Sequence, residues 1–209
     1  MSDSLHAWPA GESGYLIDVP DTDPAQVAEG LRMIAGRRRI GLVDVVPGLS
    51  TVLVMLAEPM SYRNFRALLA EVESAPATGT ADTGTVTIDV RYDGPDLPEV
   101  AEAVGLSVQQ VVDLHTGTAF HAAFSGFAPG FVYLTGVPET LRVSRRSEPR
   151  ASLPGGSVAL ADQFTAVYPR PSPGGWRLIG STTKVLWDVE QSPPAIIRPG
   201  MTVRFRQVD

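Results

Sequence analysis

The apolar positions of this chain follow one rhythm before a short polar stretch and another after it. Upstream, GYLIDV from Gly14 reads as a short strand. DPAQVAEGLRMIAGRR from Asp23 carries Val27, Leu31 and Ile34 at helical spacing, with Asp23 as N-cap and Pro24 at the first helical position. Two strand-like runs follow, IGLVDVVPG and LSTVLVMLAE, and then a second predicted helix from Ser61 to Glu73. Two strand–helix passes predict a small α/β sandwich with its helices on one sheet face. SAPATGTADTGT, from Ser74 to Thr85, has no hydrophobic period and reads as a linker. Beyond it VTIDVRY alternates as a strand, and PDLPEVAEAVGLSVQQVVDLHTG is helical with a break near Gly105. Short apolar runs then recur between Gly, Pro and Ser: FHAAF, GFVYL, SVALA, TAVYP, WRLIGS, KVLWDV and MTVRF. Such closely punctuated strands indicate a closed or sandwiched all-β unit. The predicted organisation is α+β, with an N-terminal α/β domain over residues 1–80 and a β domain over residues 86–209.

Composition narrows the function classes. At 209 residues with 44% hydrophobic and 19% charged positions, the chain is an ordinary globular one. It has no cysteine, which excludes disulfides, thiolate metal ligands and a thiol nucleophile. No apolar run approaches the roughly 20 residues of a bilayer span. The first residues lack the basic start and apolar core of a secretory signal, so no membrane association and a cytoplasmic address are expected. The net charge of −6 is unevenly placed, with seven Lys/Arg against seventeen Asp/Glu before Gly126 and ten against six from there on. VAEAVGLSVQQVVDL has the cadence of a helix–turn–helix, yet Asp93–Leu114 holds five acidic residues and no Lys or Arg. Without cations a recognition helix gains nothing from counterion release, so nucleic acid is not expected as a partner.

Candidate chemistry concentrates between Gly126 and Thr182, where GFAPGFVYLTG, RRSEPRASLPGGSVALADQFTAVYP and SPGGWRLIGST combine glycine, proline, aromatics and arginine. Arg142, Arg145, Arg146 and Arg150 fall within nine positions, and their forked donors suit carboxylate or phosphate. Phe127, Phe131, Tyr133, Tyr168 and Trp176 are candidates for core or pocket wall. His115 ends a helix, either as a cation on the helix C-terminus or as a ligand donor or general acid–base group. Gln163 is either a satisfied core amide or a ligand reader. Ser157 follows two glycines, but the run is neither a nucleophile elbow nor a phosphate-binding loop. The three histidines have no second ligand at a metal-binding helical spacing, so no metal site is expected.

Taken in order, several motifs resemble one family. They are Tyr92-Asp-Gly-Pro-Asp-Leu97, Leu114-His115, Gly126-Phe-Ala-Pro-Gly-Phe-Val-Tyr-Leu134, Pro149-Arg150, Pro154-Gly-Gly-Ser-Val158 and Gln163. Tyr168-Pro169, Ser172-Pro-Gly-Gly-Trp176, Ile179-Gly180 and Arg198-Pro-Gly-Met-Thr-Val-Arg-Phe205 follow, with a weaker match at Asp44-Val-Val-Pro47. The family contains the B subunit of 5-oxoprolinase, the Kip-type inhibitor of a sporulation histidine kinase, and allophanate hydrolase subunit 1. The resemblance implies a C-terminal cyclophilin-like β-barrel after the α/β domain. It implies a C subunit with which a composite site is built, and an A subunit completing an ATP-dependent opening of 5-oxoproline to glutamate. ATP belongs to that complex and not necessarily to this chain, which is expected to be inactive alone. An allophanate hydrolase or urea carboxylase-type subunit and a histidine-kinase inhibitor are the alternatives. Within the resemblance, Arg146 and Arg150 are assigned to a carboxylate or phosphate, His115 to proton transfer and Gln163 to the amide. Ser157 with nearby glycine amides is assigned to an anion nest, and Phe131, Tyr133 and Tyr168 to the pocket wall. The chain departs from the family pattern at Gly155, Asp162 and Ala166, where alanine, glycine and glycine are usual.

Overall fold

The structure is a computed structural model that describes residues 5–74 and 84–209. It divides into two compact units, Met1–Asp82 and Thr83–Asp209. The predicted linker lies, over residues 75–83, outside the described residues; Ser74 closes a helix and Thr85 opens a strand.

The first unit is a two-layer α/β sandwich. Strands β1 (His6–Pro9), β2 (Gly14–Asp18), β3 (Leu42–Pro47) and β4 (Thr51–Leu56) form an antiparallel sheet in the order β1-β2-β4-β3. Helices α1 (Pro24–Arg38) and α2 (Tyr62–Ser74) supply Val27, Leu31, Ile34, Phe65, Leu68 and Leu69 to a core shared with Ile17, Val52 and Val54. Asp23 caps α1 as expected, its carboxylate accepting the Ala25 amide at 2.9 Å, and Pro24 begins the helix. Strand β1 was not expected. HAWP is too short to show a period and ends in proline, and only its pairing with β2 makes it a strand.

The second unit is a barrel. Its strands are β5 (Thr85–Val90), β6 (Ala119–Ser125), β7 (Val132–Thr135), β9 (Ser157–Ala161), β10 (Phe164–Val167), β12 (Arg177–Ser181) and β13 (Thr202–Gln207). The sheet order is β12-β9-β10-β7-β6-β13-β5, with β13 parallel to β5 and antiparallel to β6. A two-stranded ribbon, β8 (Arg150–Leu153) with β11 (Ser172–Gly174), lies outside this sheet. Helices α3 (Leu97–Ala103) and α4 (Val108–Gly117) are separated at Gly105, which has φ +68°. They send Leu97, Val100, Val111 and Val112 into the barrel core with Ile88, Phe120, Leu134, Leu160, Val203 and Phe205. Expected strands match observed ones except KVLWDV, which holds only an isolated bridge between Trp187 and Ala195. The ribbon was missed, because RASL and SPG are too short to show a period.

The two edge strands of the barrel meet at one seam. Arg91 and Ser181 exchange backbone hydrogen bonds of 2.9 and 2.8 Å, and the Gly94 and Asp96 amides continue onto the carbonyls of Ile179 and Leu178. The approach is so close that a Cβ on Gly94 would stand 2.3 Å from the Leu178 carbonyl oxygen, and one on Gly180 would stand 2.5 Å from that of Arg91. Backbone cannot yield there as a flexible side chain would. Gly180→Ala is therefore expected to destabilise the second unit by at least ~2 kcal/mol, as overpacking against fixed atoms does. Denaturant unfolding that matched wild type would show that the seam is not closed in solution.

Candidate functional site

The arginine cluster is dispersed by the path of one segment. Residues 142–146 follow a short 3-10 turn, Glu139–Leu141, and are pinned by the Arg146 amide on the Gly175 carbonyl (2.8 Å) and the Asp162 amide on the Val143 carbonyl (2.7 Å). Val143 enters the core, and the four arginines separate. Arg146 donates to Asp96 Oδ1 at 3.0 Å, while Arg150 grips Asp96 with both terminal nitrogens, at 2.7 and 2.9 Å. Arg145 lies over the Trp176 ring at 5.8 Å. Arg142 is exposed, and among the described residues its guanidinium makes no hydrogen bond or ion pair.

Asp96 is the centre of this arrangement. It is 2% exposed and also accepts the Leu178 amide at 2.8 Å, so all four of its acceptor positions are filled. Burial alone would raise its carboxyl, but the bonds from Arg150 and Leu178, with the Arg150 and Arg146 charges, hold it below the usual carboxylate range. Arg146 and Arg150, assigned from the resemblance to an external anion, thus carry an internal one. The missed residue was Asp96 itself. Its signal in the sequence was the pair Asp96 and Glu99 at the start of a helix, facing a cluster of arginines much farther along the chain.

His115 sits in the barrel interior, completely buried, between the Tyr92 hydroxyl at Nδ1 (2.7 Å) and Thr165 Oγ1 at Nε2 (3.1 Å). Thr165 gives its one proton to the Ala159 carbonyl (3.0 Å), so it accepts from Nε2–H, and Nδ1 accepts from Tyr92. The ring stacks on Phe205 at 4.5 Å. Burial pushes the imidazole down to about 3, and burial pushes the Tyr92 hydroxyl up. A neutral, enclosed histidine with both nitrogens occupied is a core hydrogen-bonding group in this conformation, not one touching solvent.

The remaining candidates lie elsewhere. Ser157 is buried, its hydroxyl donating to the Pro154 carbonyl at 2.7 Å. Its own amide returns to Pro154, and that of Gly156 goes to the Tyr168 carbonyl, so these two amides close the turn and form no anion nest. Gln163 is exposed at the tip of the β9–β10 hairpin beside Asp162. Asp162 has φ +51°, a conformation that aspartate tolerates where glycine is usual. Phe131, Tyr133 and Tyr168 do come together. Phe131 meets Tyr133 at 5.1 Å and Tyr168 at 5.2 Å, and Trp176 joins both Phe131 and Tyr133, in a layer between the barrel's outer face and Leu153 of the β8–β11 ribbon. Burial first, and the neighbouring Tyr133, push the Tyr168 hydroxyl up to about 12.

Phe127 extends this aromatic layer into solvent. It is 59% exposed, and the Ala128 amide bonds to the Gly126 carbonyl around it at 2.7 Å, a γ-turn with Phe127 central at φ +65°. That hand of γ-turn is strained for any residue with a Cβ. Two open clefts are present as well. One of about 230 Å³ is bounded by Glu99, Val100, Ala103, Arg142, Val143, Ser144 and Arg177, and one of about 530 Å³ lies in the first unit beside Arg39, Glu58 and Asn64. Among the described residues no group of His, Asp and Glu side chains is placed to hold a metal ion, and no helix is long and apolar enough to cross a membrane.

The family model described as "Carboxyltransferase domain, subdomain C and D" matches residues 5–197. The chain belongs to this family. It is 40% identical over 169 residues to the 5-oxoprolinase B subunit of Escherichia coli O157:H7, covering 78% of this chain and 77% of that one. With the 5-oxoprolinase B subunit of Haemophilus influenzae it shares 30% identity, over 94% of this chain and 95% of the relative. Among solved structures, TTHA0988 superposes with a TM-score of 0.80 at 33% identity over 94% of this chain. This carboxyltransferase-family chain spans only 40% of that longer one. The Kluyveromyces lactis urea amidolyase, 15% identical with a TM-score of 0.70, shares the fold over 98% of this chain and 15% of its own length.

Two outcomes test this geometry. Asp96→Ala removes the acceptor of two partly exposed guanidiniums and of the buried Leu178 amide, and is expected to cost about 1.5–3 kcal/mol. A melting curve that matched wild type would show that the ion-pair hub is dispensable. His115 has a folded-state value depressed to about 3, below its unfolded value of 6.5, so its neutral burial stabilises fully above that unfolded value. The stability is lost as pH falls from there toward the folded-state value, by roughly 2 kcal/mol at about pH 5. Comparing the pH dependence of unfolding in wild type and His115→Gln should show a shallower slope in the variant; equal slopes would mean that the imidazole titrates freely.

Proposed function

We propose that this chain is a subunit of an ATP-dependent 5-oxoprolinase, opening 5-oxo-L-proline to L-glutamate in a composite site built with a C subunit and served by an A subunit. What carries this is the identity of 30–40% to chains named as the B subunit of 5-oxoprolinase, over three quarters or more of their lengths. The chemistry is demanding because a lactam is a stable amide. Transfer of the ATP γ-phosphoryl group to the lactam oxygen would give ADP and an activated ring carbon. Water would then add to that carbon, and loss of phosphate with cleavage of the ring C–N bond would give glutamate. ATP serves the assembled complex, and this chain is inactive by itself.

A shared site agrees with how the candidate residues are placed. His115 is enclosed, Arg146 and Arg150 are occupied by Asp96, and both clefts are open and shallow. Phe127 is the natural partner-facing anchor, since strain at an exposed aromatic persists where the side chain has a role to fill. A urea-type substrate has only likeness of fold behind it, and fold does not carry function.

Glutamate release from 5-oxo-L-proline and ATP should be seen when this chain is co-expressed with its neighbouring subunits and should vanish when it alone is omitted. Full turnover without it would end the proposal. Phe127→Gly removes the anchor and relieves the γ-turn, so the melting temperature should hold or rise while co-purification with the partner weakens about tenfold or more. Undiminished assembly would place the interface elsewhere.

A further inference from the structure

We infer that the cleft between α3 and residues 142–144 is a binding site for a small organic carboxylate, with Arg142 as the reading cation. Resting on the oxoprolinase proposal, this assigns to it the carboxylate of 5-oxo-L-proline. The assignment follows from charge and geometry. Arg142, Arg146, Arg150 and Arg177 stand against only two carboxylates, Asp96 and Glu99, in the cleft and the ion-pair network beside it. Asp96 has no acceptor capacity left. Glu99 holds Arg177 at 2.7 Å and reaches Arg146 only at 3.9 Å. Two positive charges therefore remain without a counter-charge within this set, and one of them, on Arg142, opens directly on the cleft.

The walls fit a small ring acid better than an extended phosphate ester. The volume of about 230 Å³ is modest, and exposed Ala103 gives an otherwise polar lining one small apolar spot, with Val100 and Val143 buried in the core behind it. Arg177 is fixed in place by Glu99 and by its Nε bond to the Ser144 carbonyl at 3.3 Å, so it forms a preset edge and not a mobile one. An acid entering with its carboxylate on Arg142 would sit beside Ala103 and leave its far end toward solvent, where a partner could complete the enclosure. Glu99 opposes any such anion, which favours a monoanion over a dianion.

Calorimetric titration of the full chain tests this with three probes: 5-oxo-L-proline, its uncharged carboxamide, and inorganic phosphate. Wild type is expected to bind the acid and not the carboxamide. Arg142→Gln, a change at an exposed side chain without partners, should weaken the acid about tenfold or more, the loss of one charge-assisted contact. Glu99→Gln should tighten it severalfold. Equal binding by Arg142→Gln, or no binding of the acid by wild type, would overturn the assignment. Binding of phosphate alone, lost in Arg142→Gln, would also overturn it and make the cleft a phosphate site. The two proposals fail separately. Turnover by the assembled subunits with acid binding indifferent to Arg142 sinks only the cleft, whereas acid binding through Arg142 without turnover sinks only the oxoprolinase proposal.

Discussion

Closure of the barrel depends on a carboxylate that is almost wholly buried. At the seam two edge strands touch through a few backbone hydrogen bonds, and beyond them the chain turns into α3. Asp96 stands at that turn. Its backbone amide takes the Leu178 carbonyl and its side chain takes the Leu178 amide, so one residue closes a complete ring with the opposite strand. Arg150 and Arg146 then fasten the outer ribbon and the 142–146 segment to the same oxygens. Breaking this cluster costs more than breaking an exposed pair, because the Leu178 amide left behind stays buried and the two arginines, partly open to solvent, lose their charged acceptor. The Asp89–Arg206 pair across β5 and β13 has similar fork geometry but lies at the surface, where screening leaves it little weight.

Once those two arginines are committed inward, the chemistry left at the surface is narrower than the sequence suggests. Arg145 serves the aromatic layer and Arg142 the cleft. The aromatic layer is largely a second small core: Phe131, Tyr168 and Trp176 are buried, with edge-to-face contacts worth about 0.5–1.5 kcal/mol each beyond their burial. Its margin meets the outside at exposed Phe127 and Arg145 and at half-buried Tyr133. The division between holding the fold and meeting a ligand or partner therefore runs through the arginine cluster itself, residue by residue.

How much of this was legible in the sequence follows from the range of the interactions. Helix α1 was readable to its cap because the signals, Asp23, Pro24 and the spacing of Val27, Leu31 and Ile34, lie within a few turns. The barrel was readable as a class from its punctuated short strands, and its family from ordered motifs. Strand β1 and the ribbon were not, since each becomes a strand only through a partner. The site was least legible. His115 ends an amphipathic helix, but whether that end faces solvent or a barrel interior is set by β13, far along the chain. Likewise Arg150 is separated from Asp96 by 54 positions, and no local pattern marks which arginine turns inward.

Strand β13 has a consequence for how the second unit is made. It is the last strand in sequence, yet it lies between β6 and β5, and its bonds to β5 join residues as far apart as Asp89 and Arg206, 117 positions. During translation β5 and β6 therefore emerge with bare edges and wait for nearly the whole unit to follow. Until β13 leaves the ribosome tunnel the barrel lacks the strand that joins them, and a nascent chain carries two unpaired apolar strand edges open to the wrong partner. The first unit has no such dependence, since its strands and helices are complete by Ser74. Synthesis thus completes the elements of the sandwich early, while the barrel waits for the strand that sits between β5 and β6.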